Sequence, residues 1–153
     1  MCLKWLKEKT VMITQKSIND LAYKIIGCAI EVHKELGPGL LESIYQKCME
    51  EELRHRNLSF QSQLKIPIKY KNIEMDCDLR LDILVEDLVI VELKAVESLL
   101  PLFTAQLLTY MKLLKKPKGL LINFNTENIT KSLVPMVNEY FSVLPRSEER
   151  RVG

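Results

Sequence analysis

A chain of 153 residues, 47% of them hydrophobic, with 22 Lys plus Arg against 20 Asp plus Glu, is the size of one domain. Such a chain buries roughly two thirds of its unfolded surface, needs no disulfide or metal staple, and is too apolar to be disordered. It holds no run near the about 20 apolar residues that span a bilayer. The net charge of +2 excludes a global pull on a polyanion, so any nucleic-acid function must rest on a local patch.

Met1 to Gln15 carries Lys4, Lys7 and Lys9 but no continuous apolar segment, and does not read as a signal peptide. Cys2, Cys28, Cys48 and Cys77 form no C-x-x-C pair, and neither His33 nor His55 stands at ligand spacing from them. This argues against structural zinc and for reduced thiols in a cytoplasmic protein. Residues 1–16 are read as an extension, 17–138 as the folded domain and 139–153 as a flexible tail.

In chain order, Ser17 with Asp20 forms a capping-box variant, and Ile18, Ala22, Ile25, Ala29, Val32 and Leu36 recur at helical spacing until Gly37-Pro38. A second helix is expected from Gly39 through Tyr45, Met49 and Leu53 to a cap at Asn57. Leu64, Ile66, Ile68 and Tyr70 alternate with polar residues, and Pro67 places that strand near a sheet edge. Cys77 to Leu84 is a second alternating strand. After a Glu86-Asp87 turn, Leu88 to Ala95 is apolar on both faces and therefore central. Pro101 opens a third helix ending at Lys115-Lys116-Pro117, and Gly119 to Phe124 is a buried strand, expected to lie parallel to the one before the helix. Beyond Asn125 the signals weaken, and Pro135 breaks any long helix.

The chemistry concentrates between Asp82 and Lys94. A two-residue loop at Glu86-Asp87 would set Asp82 opposite Val91, whereas a three-residue loop or a bulge sets Ile83 opposite Val91, Leu81 opposite Leu93, Arg80 opposite Lys94 and Asp82 opposite Glu92. The second register keeps apolar residues together and is preferred. It brings two carboxylates to about 5 Å across adjacent strands. At an effective dielectric of about 20 their repulsion is roughly 3 kcal/mol, relieved by a raised pKa, by cations or by a divalent metal. Mg2+ suits a carboxylate pair with waters and a phosphate. Lys94, two residues past Glu92, points to the same face and can orient a water or stabilise phosphate charge.

The plainer alternative is a solvated ladder of Asp82, Glu92, Arg80 and Lys94 on an open sheet face. Against it, Glu92 interrupts an apolar strand, where an uncompensated acid costs several kcal/mol. Glu42, in the first turn of the second helix, is accounted for by the helix dipole alone. Gln106 and Tyr110 share one stripe of the third helix and read equally well as core residues. Lys112, Lys115, Lys116 and Lys118 complement that helix's C-terminus, or contact phosphates.

Gly39-Leu-Leu-Glu-Ser-Ile-Tyr45, the preceding Ile30 to Pro38, Arg80-Leu-Asp82, Val91-Glu-Leu-Lys94, Gln106-Leu-Leu-Thr-Tyr110 and Leu121-Ile-Asn-Phe124 together resemble the GxxExxY protein family of the PD-(D/E)XK nuclease superfamily. The resemblance covers about Ile18 to Asn138. It implies an α/β protein with a restriction-endonuclease-like core, a mixed sheet flanked by helices in the order α-α-β-β-β-α-β. It further implies Mg2+-dependent phosphodiester hydrolysis, with Mn2+ as a substitute and DNA as the expected substrate. By position, Asp82, Glu92 and the Leu93 carbonyl would bind the metal and Lys94 would assist the attacking water. Glu42 would complete the site, and Gln106 with Tyr110 resembles the Q-x-x-x-Y element of the exonuclease branch. Leu81 stands where the superfamily name has Pro, and Leu79 where relatives often have an aromatic. A nuclease fold that acts only as a nucleic-acid-binding or protein-interaction module is the alternative function.

Overall fold

A computed structural model of the chain describes residues 12–148. Most of the expected N-terminal extension, Cys2, and the end of the expected tail lie outside the described residues.

Helix α1 (Gln15–Leu36) starts one turn before the expected box. Thr14 is its cap: the Ser17 amide donates to Thr14 Oγ1 over 3.0 Å and the Thr14 amide to Ser17 Oγ over 2.8 Å. Asp20 instead pairs with Lys16 on the surface. Helix α2 (Glu42–His55) begins later than expected because Gly39, at φ 102°, holds its loop in a conformation that other residues resist. Strand β1 (Phe60–Lys65) is separated at Pro67 from a small hairpin of β2 (Ile68–Tyr70) and β3 (Ile73–Met75), so the single alternating strand of the sequence becomes two. Strands β4 (Arg80–Val85) and β5 (Val89–Lys94) follow, then helix α3 (Pro101–Leu114) with Pro101 in its first turn, and β6 (Lys118–Asn123).

The main sheet has five strands in the order β1-β4-β5-β6, closed by β7 (Leu133–Val137). Strands β5 and β6 are parallel and the other neighbours antiparallel. The mixed sheet flanked by helices is the expected α/β fold, consistent with a restriction-endonuclease-like core. Strand β7 was not expected, because the signals past Asn125 are weak; as an edge strand it tolerates the missing donor of Pro135.

Helices α1 and α2 cover one face, burying Ile25, Cys28, Tyr45 and Met49 against Ile83, Val91, Leu93 and Ile122. Helix α3 covers the other, with Leu107, Tyr110 and Met111 on Leu84, Ile90 and Leu121. A Cβ at Gly119 would lie 2.7 Å from Met111 Sδ and 2.9 Å from a Leu107 methyl, so glycine permits the close seating of α3. The segment read as a flexible tail departs from that reading at its start. Helix α4 (Glu139–Ser142) forms, Phe141 and Leu144 pack on the core, and the Pro145 and Arg146 carbonyls accept from the Gln15 and Lys16 amides. Among the described residues no helix is long and apolar enough to cross a membrane.

Candidate active site

The β4–β5 hairpin closes through a three-residue loop, Glu86 to Leu88, with Glu86 and Asp87 both left-handed at φ 52° and 58°. Val85 faces Val89 and Ile83 faces Val91, the preferred register. Continued, it sets Asp82 against Glu92, but the backbone ladder ends at Ile83. The Asp82 amide donates to Glu92 Oε2 over 2.7 Å, and the Leu93 amide donates to Asp82 Oδ2 over 2.8 Å. Each carboxylate thus stands in for a ladder carbonyl. The expected Leu81–Leu93 and Arg80–Lys94 pairs do not form: Leu81 joins the α3-side core, and Arg80 turns to Asp78 and to the Gln63 carbonyl.

Glu92 is only 6% exposed, which excludes an open solvated ladder. Burial, followed by the charge of Asp82, pushes its carboxyl up to about 8, against the opposing Asp82 N–H and Lys94 ammonium. Burial also raises Asp82, opposed by the Leu93 N–H, Gln63 and Lys94. Lys94 does not fully neutralise the pair. Its Nζ lies 4.3 Å from the Phe103 ring centroid.

Beside Asp82 opens a cleft of about 490 Å3, lined among others by Glu42, Gln46, Glu50, Gln63 and Leu93. Glu42, Gln46 and Glu50 are successive turns of one α2 stripe. Glu42 is the first residue of α2, and its charge adds to the upward push on Glu92. The preceding loop is fixed by Tyr45, whose hydroxyl donates to the Gly37 carbonyl over 2.6 Å and accepts from the Leu40 amide over 3.2 Å. The Tyr45 ring stacks on Phe124 at 4.5 Å. Gly39 and Tyr45 therefore bracket Glu42 mechanically.

From the α3 side, Tyr110 is buried, and burial followed by the charges of Glu92 and Asp82 raises its hydroxyl pKa. Gln106, one turn earlier, is half-buried. The Lys112 to Lys118 group sits at the other end of the strands: Lys118 pairs with Val89, whereas Asn123 pairs with Lys94. Lys116 bonds to Asp87 over 2.9 Å. Lys118 bonds to Asn19 over 3.3 Å, so this group lies away from the hairpin acids.

Residues that the sequence did not single out complete the surroundings. The Gln46 amide nitrogen donates to the Asp82 carbonyl over 3.0 Å, and its place one turn after Glu42 was the available signal. Gln63 donates to Asp82 Oδ1 over 3.3 Å. Asn123, buried, accepts from the Val96 amide and donates to the Val96 carbonyl, clamping the chain that leaves Lys94. Among the described residues no three His, Cys, Asp or Glu side chains gather closely enough to form a metal cluster by themselves.

A family model described as the PD-(D/E)XK nuclease superfamily matches residues 19–134. The chain belongs to that superfamily. No curated protein and no solved structure matches it. The superfamily match spans the hairpin acids, the cleft helix and α3, and the fold is that of the PD-(D/E)XK nuclease superfamily.

Proposed function

We propose that this PD-(D/E)XK protein is of the GxxExxY type and is a Mg2+-dependent nuclease, with Mn2+ as a substitute, hydrolysing phosphodiester bonds in DNA. The observation that carries the proposal is the pair Asp82 and Glu92. Both are acids raised by burial, joined through each other's backbone surroundings, and only partly offset by Lys94. Such unbalanced charge on hard oxygen donors fits a small divalent cation. Asp82, Glu92 and the Leu93 carbonyl would hold it, with water filling the remaining positions. When bound, the cation polarises a phosphoryl oxygen and acidifies a water.

The other roles belong to the chain's own groups. Lys94, held over the Phe103 face, orients the water and stabilises charge on the phosphate. Glu42 adds an acid at the cleft mouth. Gln106 and Tyr110 close the α3 side, where the buried Tyr110 hydroxyl stays protonated and able to donate. The free thiols of Cys28, Cys48 and Cys77 support the cytoplasmic reading.

The test is incubation of purified protein with single- and double-stranded DNA and RNA under Mg2+ or Mn2+, beside Asp82→Ala and Lys94→Ala. Cleavage of DNA lost in both variants is the expected result; cleavage that survives both removes the assigned site. A second reading, a silent binding or partner module, draws on the Asp82 and Glu92 oxygens already engaged by backbone amides and on the lack, among the described residues, of a third acid, His or Cys gathered against them. Failure to cleave any substrate together with failure to bind metal selects it.

A further inference from the structure

We propose that Gln63 is a positioning residue for Asp82, and that its unusual backbone exists to aim its amide into the site. The inference rests on the metal-dependent reading above and adds a residue to it. Gln63 lies in the middle of β1 with φ 51°, a left-handed conformation that a non-glycine residue in a strand rarely adopts. The β1–β4 ladder is interrupted there: Ser62 pairs with Ile83 and Leu64 with Leu81, while the Gln63–Asp82 rung between them is missing. Strain held in place beside a candidate site calls for a compensating contact.

The contact is the side chain. Gln63 Nε2 lies 3.3 Å from Asp82 Oδ1 and 3.3 Å from Gln46 Oε1. Gln46 Nε2 in turn donates to the Asp82 carbonyl over 3.0 Å and to Glu50 Oε2 over 3.0 Å. The Gln63 carbonyl, turned outward by the kink, accepts from Arg80. Both hydrogens of the Gln63 amide and both of the Gln46 amide are therefore committed, and the chain of bonds ties Asp82 to α2, the helix that carries Glu42. With Oδ2 fixed by the Leu93 amide and Oδ1 steadied by Gln63, the Asp82 carboxylate is held in one orientation.

Gln63→Gly is the decisive variant, because glycine adopts φ 51° freely, so the side chain and its amide are lost without adding backbone strain. The expected result is an unchanged or higher melting temperature, with kcat and Mn2+ affinity each lowered about tenfold to a hundredfold and KM for the oligonucleotide unchanged. A purely structural role lowers the melting temperature and leaves kcat and Mn2+ affinity as in the wild type. Wild-type kcat and Mn2+ affinity in this variant overturn the proposal, while loss of cleavage in Asp82→Ala leaves the nuclease reading standing. If wild-type protein neither cleaves DNA nor takes up Mn2+, the nuclease reading fails, and NMR of the metal-free protein decides the inference on Gln63. Its side-chain amide resonances are expected to shift in both Asp82→Ala and Gln46→Ala; amide signals that respond to neither overturn it.

Discussion

The Asp82 amide donates to Glu92 Oε2 over 2.7 Å, so the backbone of one acid is held by the carboxylate of the other. Glu92 nonetheless titrates at about 8, because burial and the charge of Asp82 outweigh that bond. An unfolded Glu titrates near 4.3. Between those values the folded metal-free protein keeps a proton that the unfolded chain has lost. Stability therefore falls as pH rises from about 4.5 to about 8 and levels off above. Thermal melts in EDTA should show this decline, and Glu92→Gln should flatten it. A wild-type melting temperature that is level or rising across that window contradicts the assignment.

Binding of Mg2+ or Mn2+ below pH 8 should displace about one proton, since Glu92 must ionise to become a ligand. Calorimetry in two buffers of different ionisation enthalpy measures the number released. It should shrink toward zero by pH 9 and be absent in Glu92→Gln.

Tyr45→Phe keeps the stack on Phe124 and loses the bonds to Gly37 and Leu40. The expected cost is about 1–2 kcal/mol in urea unfolding, with a fall in cleavage larger than the lost stability explains, because the loop ahead of Glu42 is released. Gly39→Ala should behave similarly through backbone strain alone, as nothing lies within 4 Å of an added Cβ. Full activity in Tyr45→Phe would show that Glu42 does not need the loop.

Phe103→Leu removes the ring beneath Lys94. A cation over an aromatic face is worth about 0.5–1 kcal/mol at exposed sites, so stability should change little. Cleavage should fall in kcat rather than KM, and Phe103→Tyr should restore it. Equal kcat in the Leu and Tyr variants would show that the ring does not place the lysine.

Asn123→Ala should cost about 1–3 kcal/mol, because its buried partners on Val96 lose both bonds. Hydrogen exchange at the Val96 amide is the direct measure and should accelerate in the variant.

The hairpin register was legible because side-chain alternation punishes the alternative: a slip of one residue would set Asp82 beside Val91 and mix polar with apolar faces. The central place of β5 followed from its unbroken apolar run. What stayed hidden was backbone geometry without a glycine to mark it. Gln63 reads as one more polar residue of a half-buried strand, and nothing in its type announces a left-handed turn. Tyr45 reads as a stripe residue, although its hydroxyl holds the loop ahead of Glu42. Strand β7 was missed because its short apolar run carries no clear period, and its place is set only by pairing with the edge of β6. The Thr14 cap displaced Ser17 because two short hydroxyl residues three apart satisfy each other's backbone amides, making Ser17 the inner partner of the box and Thr14 its cap.

The break in β1 has a consequence beyond the cleft. Strand β1 borders solvent on one side of the five-stranded sheet and β7 on the other. An unbroken border of free N–H and C=O groups invites a second chain to add itself as a further strand. At one border Gln63 twists the backbone out of line, with Pro67 soon after; at the other, Pro135 removes a donor. Neither border presents a continuous template, so a kink that serves chemistry on its inner side also discourages aggregation on its outer one.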